Sequence, residues 1–204
     1  MKYARPLVIA VGIAAIAAIA AGASAFWLHD RDPAPVAPSA WIVEAAVALN
    51  RTSIHGTTGI GAVAPAIGAA AARQLALEGQ RLRVQRRFAD AEAAYREAVM
   101  ADPTDADSWA DLADCAAAAA GNDLTRGREA IRQALAIDPR HRKALWLRAS
   151  LELQELRYAA AATTWRELAS LVTAGSTDAR VIAANIAEAD ALAHNYAASN
   201  GKGT

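Results

Sequence analysis

Residues 88–103 read "FADAEAAYREAVMADP", and residues 127–139 read "GREAIRQALAIDP". Each stretch carries a small residue, a bulky residue and an alanine at helical spacing, and each closes with Asp-Pro. Because the residue before a proline is pushed out of the α region, both Asp-Pro pairs predict the end of a helix. The two prolines, Pro103 and Pro139, are 36 residues apart. The matching patterns predict an internal repeat built from pairs of helices.

The repeated unit occurs three times from residue 72 onward. Small residues recur where the two helices of one unit must approach each other: Gly79, Ala91, Ala98, Ala113, Gly127, Ala134, Ala149 and Ala161. Large residues recur where neighbouring units meet, namely Tyr95, Ile131 and Trp165. These spacings resemble those of tetratricopeptide repeats, which have a period of about 34 residues. The sequence therefore predicts an all-α solenoid.

The predicted repeat domain covers residues 72–174 as three helix pairs, followed by a capping helix over residues 175–196 and a flexible tail over residues 197–204. A cap is expected because the last repeat of a solenoid leaves an open apolar face. The second unit is two residues longer than the usual period. Either the turn at residues 121–124 or a longer first helix absorbs these two residues.

An apolar run of 22 residues, 7–28, lies close to the N-terminus. About 20 apolar residues suffice to span a bilayer as a helix. Lys2 and Arg5 precede the run and predict a cytoplasmic N-terminus, with the remainder exported. We therefore expect residues 1–28 to be a single-pass signal anchor in a bacterial inner membrane, with the C-terminal domain in the periplasm. The A-x-A form of residues 23–25 leaves open a cleaved signal peptide.

Residues 29–71 are predicted to be a linker, rich first in Pro and Ala and then in Gly and Thr. An arginine-rich segment follows at residues 73–87. It is interpreted either as the solvated face of the first helix and its turn, or as a basic surface. A basic surface here would border a binding groove or contact anionic lipid head groups.

Composition excludes several classes of function. Lys+Arg and Asp+Glu both number 21, so the formal net charge is zero, which argues against a protein that grips nucleic acid. The single cysteine, Cys115, excludes an internal disulfide and is expected to be a small buried packing residue. The four histidines are scattered and predict no metal site. With no catalytic constellation, the chain is predicted not to be an enzyme and to need no cofactor.

The first helix of each unit is expected to line a concave groove that accepts a peptide helix. The predicted groove residues are Gln80, Arg83, Val84, Asp107, Ala110, Asp114, Lys143, Trp146, Ser150 and Leu153. Trp146 is predicted to be an exposed anchor for the ligand, because tryptophan is enriched at binding hot spots.

The second and third units carry a more specific pattern: Gly121, Leu124, Gly127, Asp138-Pro139, Lys143-Ala144-Leu145, Tyr158, Ala161 and Trp165. In this pattern the chain resembles the periplasmic tetratricopeptide component of bacterial cytochrome c maturation. The resemblance implies a chaperone and adaptor that binds apocytochrome c, notably its C-terminal helix, and hands it to the haem-ligation membrane subunits. The alternative is a scaffold for another cell-envelope assembly, such as pilus, secretion or cell-wall machinery.

Overall fold

The computed structural model describes residues 63–200, with side chains from residue 68 onward. This part of the chain consists of helices joined by turns, and it contains no strand. Its helices are α1 (Val63–Val84), α2 (Phe88–Ala101), α3 (Ala106–Ala119), α4 (Arg128–Ile137), α5 (Arg142–Gln154), α6 (Tyr158–Ala169) and α7 (Thr177–Asn200). A short 3-10 helix, Leu124–Gly127, leads into α4. Successive helices are joined by short turns and pack as three pairs, and α7 packs against α6.

The helix ends follow from local chemistry. Asp102 and Asp138 have extended backbone and terminate α2 and α4, as the Asp-Pro pairs predict. The next helices begin at caps that use side-chain acceptors. The Asp105 carboxylate accepts a hydrogen bond from the Asp107 amide at 3.1 Å, and His141 Nδ1 accepts one from the Ala144 amide at 3.1 Å. Each unit therefore closes and restarts within a few residues.

Small residues allow close approach within the helix pairs, as the sequence predicts. A Cβ atom added at Gly79 would lie 2.8 Å from the ring of Tyr95, and one added at Gly127 would lie 2.7 Å from the carbonyl oxygen of Ala113. Both distances are too short for a real contact, so each position requires glycine as the backbone stands. The large residues Tyr95, Ile131 and Trp165 are at most 2% exposed.

Two clusters of buried apolar side chains make up most of the core. The first surrounds Tyr95 and Ile131 and joins the first two pairs to α5. The second contains Trp146 and Trp165, whose rings meet edge to face with centroids 4.6 Å apart. Ile182 of α7 is fully buried in this second cluster, so the last helix covers the open face of the third pair.

Two predicted boundaries are corrected by the structure. Helix α1 begins at Val63 rather than at residue 72, because a proline such as Pro65 is compatible with the first turn of a helix, where its missing N–H has no partner to lose. Helix α7 continues to Asn200 rather than ending at residue 196. The predicted membrane anchor, residues 1–28, and most of the predicted linker lie outside the described residues. No helix within residues 63–200 is long and apolar enough to cross a membrane.

Candidate protein-binding surface

The first helices of the three pairs are linked by a cluster of charged side chains. Lys143 of α5 places Nζ 2.6 Å from Asp111 Oδ1 and 2.9 Å from Asp114 Oδ2, both on α3. Arg83 of α1 approaches the same Asp114 Oδ2 through Nη1 at 3.6 Å. We call Arg83, Asp111, Asp114 and Lys143 the inner charge cluster. It contains two cations and two anions, and it ties together helices that are far apart in sequence.

Burial and charge oppose each other in this cluster. Burial by itself would lower the pKa of Lys143, but the carboxylates of Asp111 and Asp114 outweigh it and raise that pKa above the ordinary value. The same two carboxylates overcome burial at Arg83 and raise its pKa as well. Both cations therefore stay charged at neutral pH. Lys143 is the single lysine among the described residues.

Two further titratable groups lie beside the cluster. Cys115 is fully buried, which confirms its predicted packing role, and burial raises the pKa of its thiol to about 12. Burial also raises the pKa of the Tyr95 phenol, and the neighbouring Asp111 charge raises it further. A thiol that holds its proton in this way is a poor nucleophile.

A second link joins α3 to the start of α5. Because His141 Nδ1 accepts the hydrogen bond from the Ala144 amide, the ring proton is assigned to Nε2. His141 Nε2 then donates to Asp107 Oδ1 at 2.9 Å. The side chain of Asp107 is 77% exposed, so this link lies at the rim of the surface, whereas Lys143 lies at its base.

The two extra residues of the second unit are taken up by the turn after α3, which settles the two alternatives left by the sequence. Gly121 and Asn122 both adopt positive φ angles, of 69° and 70°. The side-chain amide of Gln154 secures this turn: its Oε1 accepts from the Leu124 amide at 3.0 Å, and its Nε2 donates to the Asn122 carbonyl at 2.7 Å. The turn therefore docks on the third pair.

The structure contradicts the prediction that Trp146 is an exposed anchor. Its side chain is 1% exposed because it packs on Trp165 in the second core cluster. The other predicted groove residues that are buried rather than accessible are Ala110, Lys143, Ser150 and Leu153. Lys143, Ser150 and Leu153 lie on α5, which packs against α3, α4 and α6. Ala110 lies on α3, in a small buried cluster with Ala134 and Ala144.

Five predicted groove residues retain accessible surface: Gln80, Arg83, Val84, Asp107 and Asp114. Val84 is the largest apolar contribution, at 67% exposure. Asp111 was missed by sequence reasoning, although an aspartate one helical turn before Asp114 could have signalled a buried cation partner. Two buried polar atoms near this surface, Arg83 Nε and Ser150 Oγ, have no hydrogen-bond partner among the described residues.

Nowhere between residues 63 and 200 do three or more His, Cys, Asp or Glu side chains come together in a way that could hold an ion.

Comparisons with known proteins place the fold. No family model and no curated protein matches the chain. Sixteen chains of solved structures do match. One is the TPR2B domain of yeast Sti1 in a complex with pHsp70, with a TM-score of 0.52, 23% sequence identity, and coverage of 58% of this chain and 95% of that one. The described residues thus resemble a tetratricopeptide-repeat domain in fold.

Proposed function

We propose that this protein binds the C-terminal helix of an apocytochrome c on the surface formed by α1, α3 and α5, and presents it to haem-ligation membrane subunits. The resemblance of the fold to a tetratricopeptide-repeat domain supports a protein-binding role. The choice of partner rests on the sequence pattern of the second and third units. In this proposal an N-terminal anchor holds the repeat domain at the periplasmic face of a bacterial inner membrane.

The observation that carries the proposal is a large apolar side chain left exposed beside the inner charge cluster. Val84 is 67% exposed at the end of α1, next to Arg83, and the half-buried Gln80 lies one turn earlier. An amphipathic helix presents an apolar stripe flanked by polar residues. Such a helix can place an apolar residue on Val84 and hydrogen-bonding groups on Gln80 and on Asp114, which keeps 18% of its side chain exposed.

The inner charge cluster supports binding by holding the three helices in fixed relation before a ligand arrives. Ion pairs join Arg83 to Asp114 and Asp114 to Lys143, so α1, α3 and α5 are linked in one chain of contacts. A surface that is already ordered loses less conformational entropy when it binds a partner. The partly exposed side chains of Arg83 on α1 and Asp114 on α3 are therefore presented to a ligand from helices that already hold their positions.

A direct binding measurement tests the proposal. Fluorescence anisotropy would follow a labelled peptide from an apocytochrome c C-terminal helix as the full chain is added. We expect Val84→Asp to weaken binding at least roughly tenfold, because it places an unpaired charge against the apolar stripe of the ligand. Met100→Asp is the matched control, since Met100 of α2 is 77% exposed and outside the inner surface. No binding of any such peptide to the unmodified chain would overturn the proposal.

A cellular measurement separates the proposal from the envelope-scaffold alternative. Deletion of the gene should abolish cytochromes that stain for covalently attached haem. Normal levels of those cytochromes, together with recovery of a different envelope complex on the repeat domain, would favour the alternative. Val84→Asp should reproduce the deletion, whereas Met100→Asp should not.

A further inference from the structure

We propose that the edge formed by the turns inside the three helix pairs contacts an anionic phospholipid surface. These turns comprise residues 85–87, 120–128 and 155–157, and we call them the turn edge. The second and third turns are adjacent, because Gln154 binds the second turn and Arg128 forms an ion pair with Glu155 of the third. This proposal is independent of which protein partner occupies the inner surface.

Basic residues are concentrated on the turn edge. It carries five arginines, Arg86, Arg87, Arg126, Arg128 and Arg157, against two acidic residues, Asp123 and Glu155. The turns between successive pairs, at the opposite edge, cover residues 102–105, 138–141 and 170–176. They hold three aspartates and one arginine. The domain thus has a basic and an acidic edge even though the formal net charge of the chain is zero.

Not all of the basic charge on the turn edge is neutralised locally. Arg128 pairs with Glu155, Arg157 pairs with both Glu155 and Glu152, and Arg87 pairs with Asp90. Arg86 and Arg126 are exposed and form no ion pair among the described residues. The effect of the excess extends to Asp123, whose pKa is lowered chiefly by hydrogen bonds from Thr125 and additionally by the nearby charges of Arg126 and Arg128.

The backbone of the turn edge also presents side chains at positions that favour glycine. Arg86 and Leu156 lie two residues after the ends of α1 and α5, at equivalent points of their turns, with φ angles of 61° and 59°. Few residues other than glycine adopt this left-handed conformation readily. One turn places a guanidinium there and the other places a leucine that is 51% exposed. Basic groups beside an exposed apolar side chain are typical of surfaces that meet a membrane interface.

A lipid surface fits this arrangement better than an acidic protein does. The arginines stand on the ends of helix pairs and are spread along an edge, whereas a protein ligand is usually held by a packed central anchor. Guanidinium groups are weakly hydrated and bind phosphate oxygens in a bidentate manner. Each arginine close to an anionic membrane surface favours binding by about fivefold. Two unpaired arginines would therefore contribute roughly 25-fold.

The test measures the distance of the turn edge from the bilayer in the full chain. A fluorophore is placed on Gln85→Cys at the turn edge, or on Ala136→Cys as a control on the exposed end of α4, and quenched by spin-labelled lipid head groups. The native Cys115 is fully buried and remains unlabelled under native conditions. Vesicles contain phosphatidylcholine with or without phosphatidylglycerol. Both kinds of vesicle would hold an N-terminal anchor equally. The difference in quenching between them therefore reports the contact of the turn edge with the anionic lipid.

We expect quenching at Gln85→Cys only when phosphatidylglycerol is present, little change at Ala136→Cys, and loss of the effect near 1 M salt, where the Debye length is about 3 Å. Arg86→Gln combined with Arg126→Gln should abolish most of the quenching. Arg73→Gln combined with Arg140→Gln removes the same charge from exposed positions outside the turn edge and should leave the quenching unchanged. Equal quenching in both kinds of vesicle would overturn the proposal, as would shielding by a soluble acidic protein in place of lipid.

Discussion

The ammonium group of Lys143 on α5 lies 2.6 Å from the carboxylate of Asp111 on α3, and both side chains are less than a tenth exposed. The two residues are 32 positions apart, and the chain between them completes α3 and then forms a turn, a 3-10 helix and the whole of α4. The contact therefore forms only when the third repeat packs on the second. Because Asp114 also binds this ammonium, Lys143 and Arg83 together offset the charges of the buried Asp111 and of Asp114, whose side chain is 18% exposed.

Replacement of Lys143 by methionine should strongly destabilise the fold. Methionine preserves much of the volume but leaves the carboxylates of Asp111 and Asp114 without their closest cation. Breaking a buried ion pair by removing one partner typically costs about 3–5 kcal/mol. Urea unfolding followed by circular dichroism would measure the loss. Arg132→Met supplies the control, because its ion pair with Glu129 is exposed and should change stability by no more than about 0.5 kcal/mol. Similar losses in the two variants would contradict the buried cluster.

Stability should fall at alkaline pH. The native state holds protons on Cys115, with a pKa raised to about 12 from 9.0, and on Tyr95 and Lys143, with pKa values raised above 10.0 and 10.5. The unfolded chain releases these protons at lower pH, so the native state binds more protons and the unfolding free energy decreases as pH rises. The decrease begins near pH 9.0, where the unfolded thiol titrates. Each group contributes up to about 1.4 kcal/mol per pH unit.

The thiol component of this alkaline loss can be isolated. Cys115→Ala removes the group that titrates first, so the variant should stay at constant stability to a higher pH than the parent chain. Urea unfolding at a series of pH values would give both curves. Identical pH dependence in the two proteins would show that Cys115 is solvated in the native state.

Gly127 and Gly121 should respond differently to alanine. At Gly127 a Cβ atom would meet the backbone of Ala113, at 2.7 Å from its oxygen and 3.0 Å from its Cα, so the two helices must separate. Overpacking of this kind costs about 1–3 kcal/mol. Gly121 has open space around it and a φ of 69°, so its cost is conformational and about 1–2 kcal/mol. Only Gly127→Ala should raise the rate of amide hydrogen exchange throughout α3. If faster exchange were confined to the turn in both variants, the close approach of Gly127 to Ala113 would be refuted.

Gln154 should be required to hold the turn after α3. Gln154→Ala leaves the Leu124 amide and the Asn122 carbonyl without this partner and should cost about 1–3 kcal/mol. Gln154→Glu retains an acceptor for Leu124 but loses the donor to Asn122. Hydrogen exchange at the Leu124 amide should therefore be fast in the alanine variant and close to normal in the glutamate variant. Equal protection in all three proteins would mean that the side-chain bonds do not form.

Arg86→Gly should stabilise the protein. Arginine at a φ of 61° bears a steric cost that glycine does not, and the gain is partly offset by the greater freedom of glycine in the unfolded chain. We expect a net increase of about 0.5–1 kcal/mol. Gln85→Gly, one residue earlier at an ordinary φ, should instead lower stability by a similar amount. Thermal unfolding of both variants would measure these two opposite changes. A loss of stability in Arg86→Gly would show that arginine bears no steric cost at this position.

Sequence reasoning found the helix pairs because their signals are local. The Asp-Pro pairs at residues 102–103 and 138–139 terminate helices whatever surrounds them, and the recurrence of small residues such as Gly79 and Gly127 reports close helix approach directly. The prediction from the sequence that Trp146 is exposed was wrong. Helical register assigns that residue to the inner side of its repeat, but whether the side is open depends on the helices that follow it in space.

The sequence by itself determined the all-helical class, the three helix pairs and the capping helix. It narrowed the position of the two-residue insertion to two places, and the structure chose between them. Only the tertiary structure decided which residues of the inner helices are accessible. Val84 remains exposed at the end of the first helix, whereas Trp146 is enclosed because Trp165 packs on its ring and α7 covers the third pair. Periodicity assigns a residue to a face of its own helix, but the neighbouring helices determine whether that face is covered.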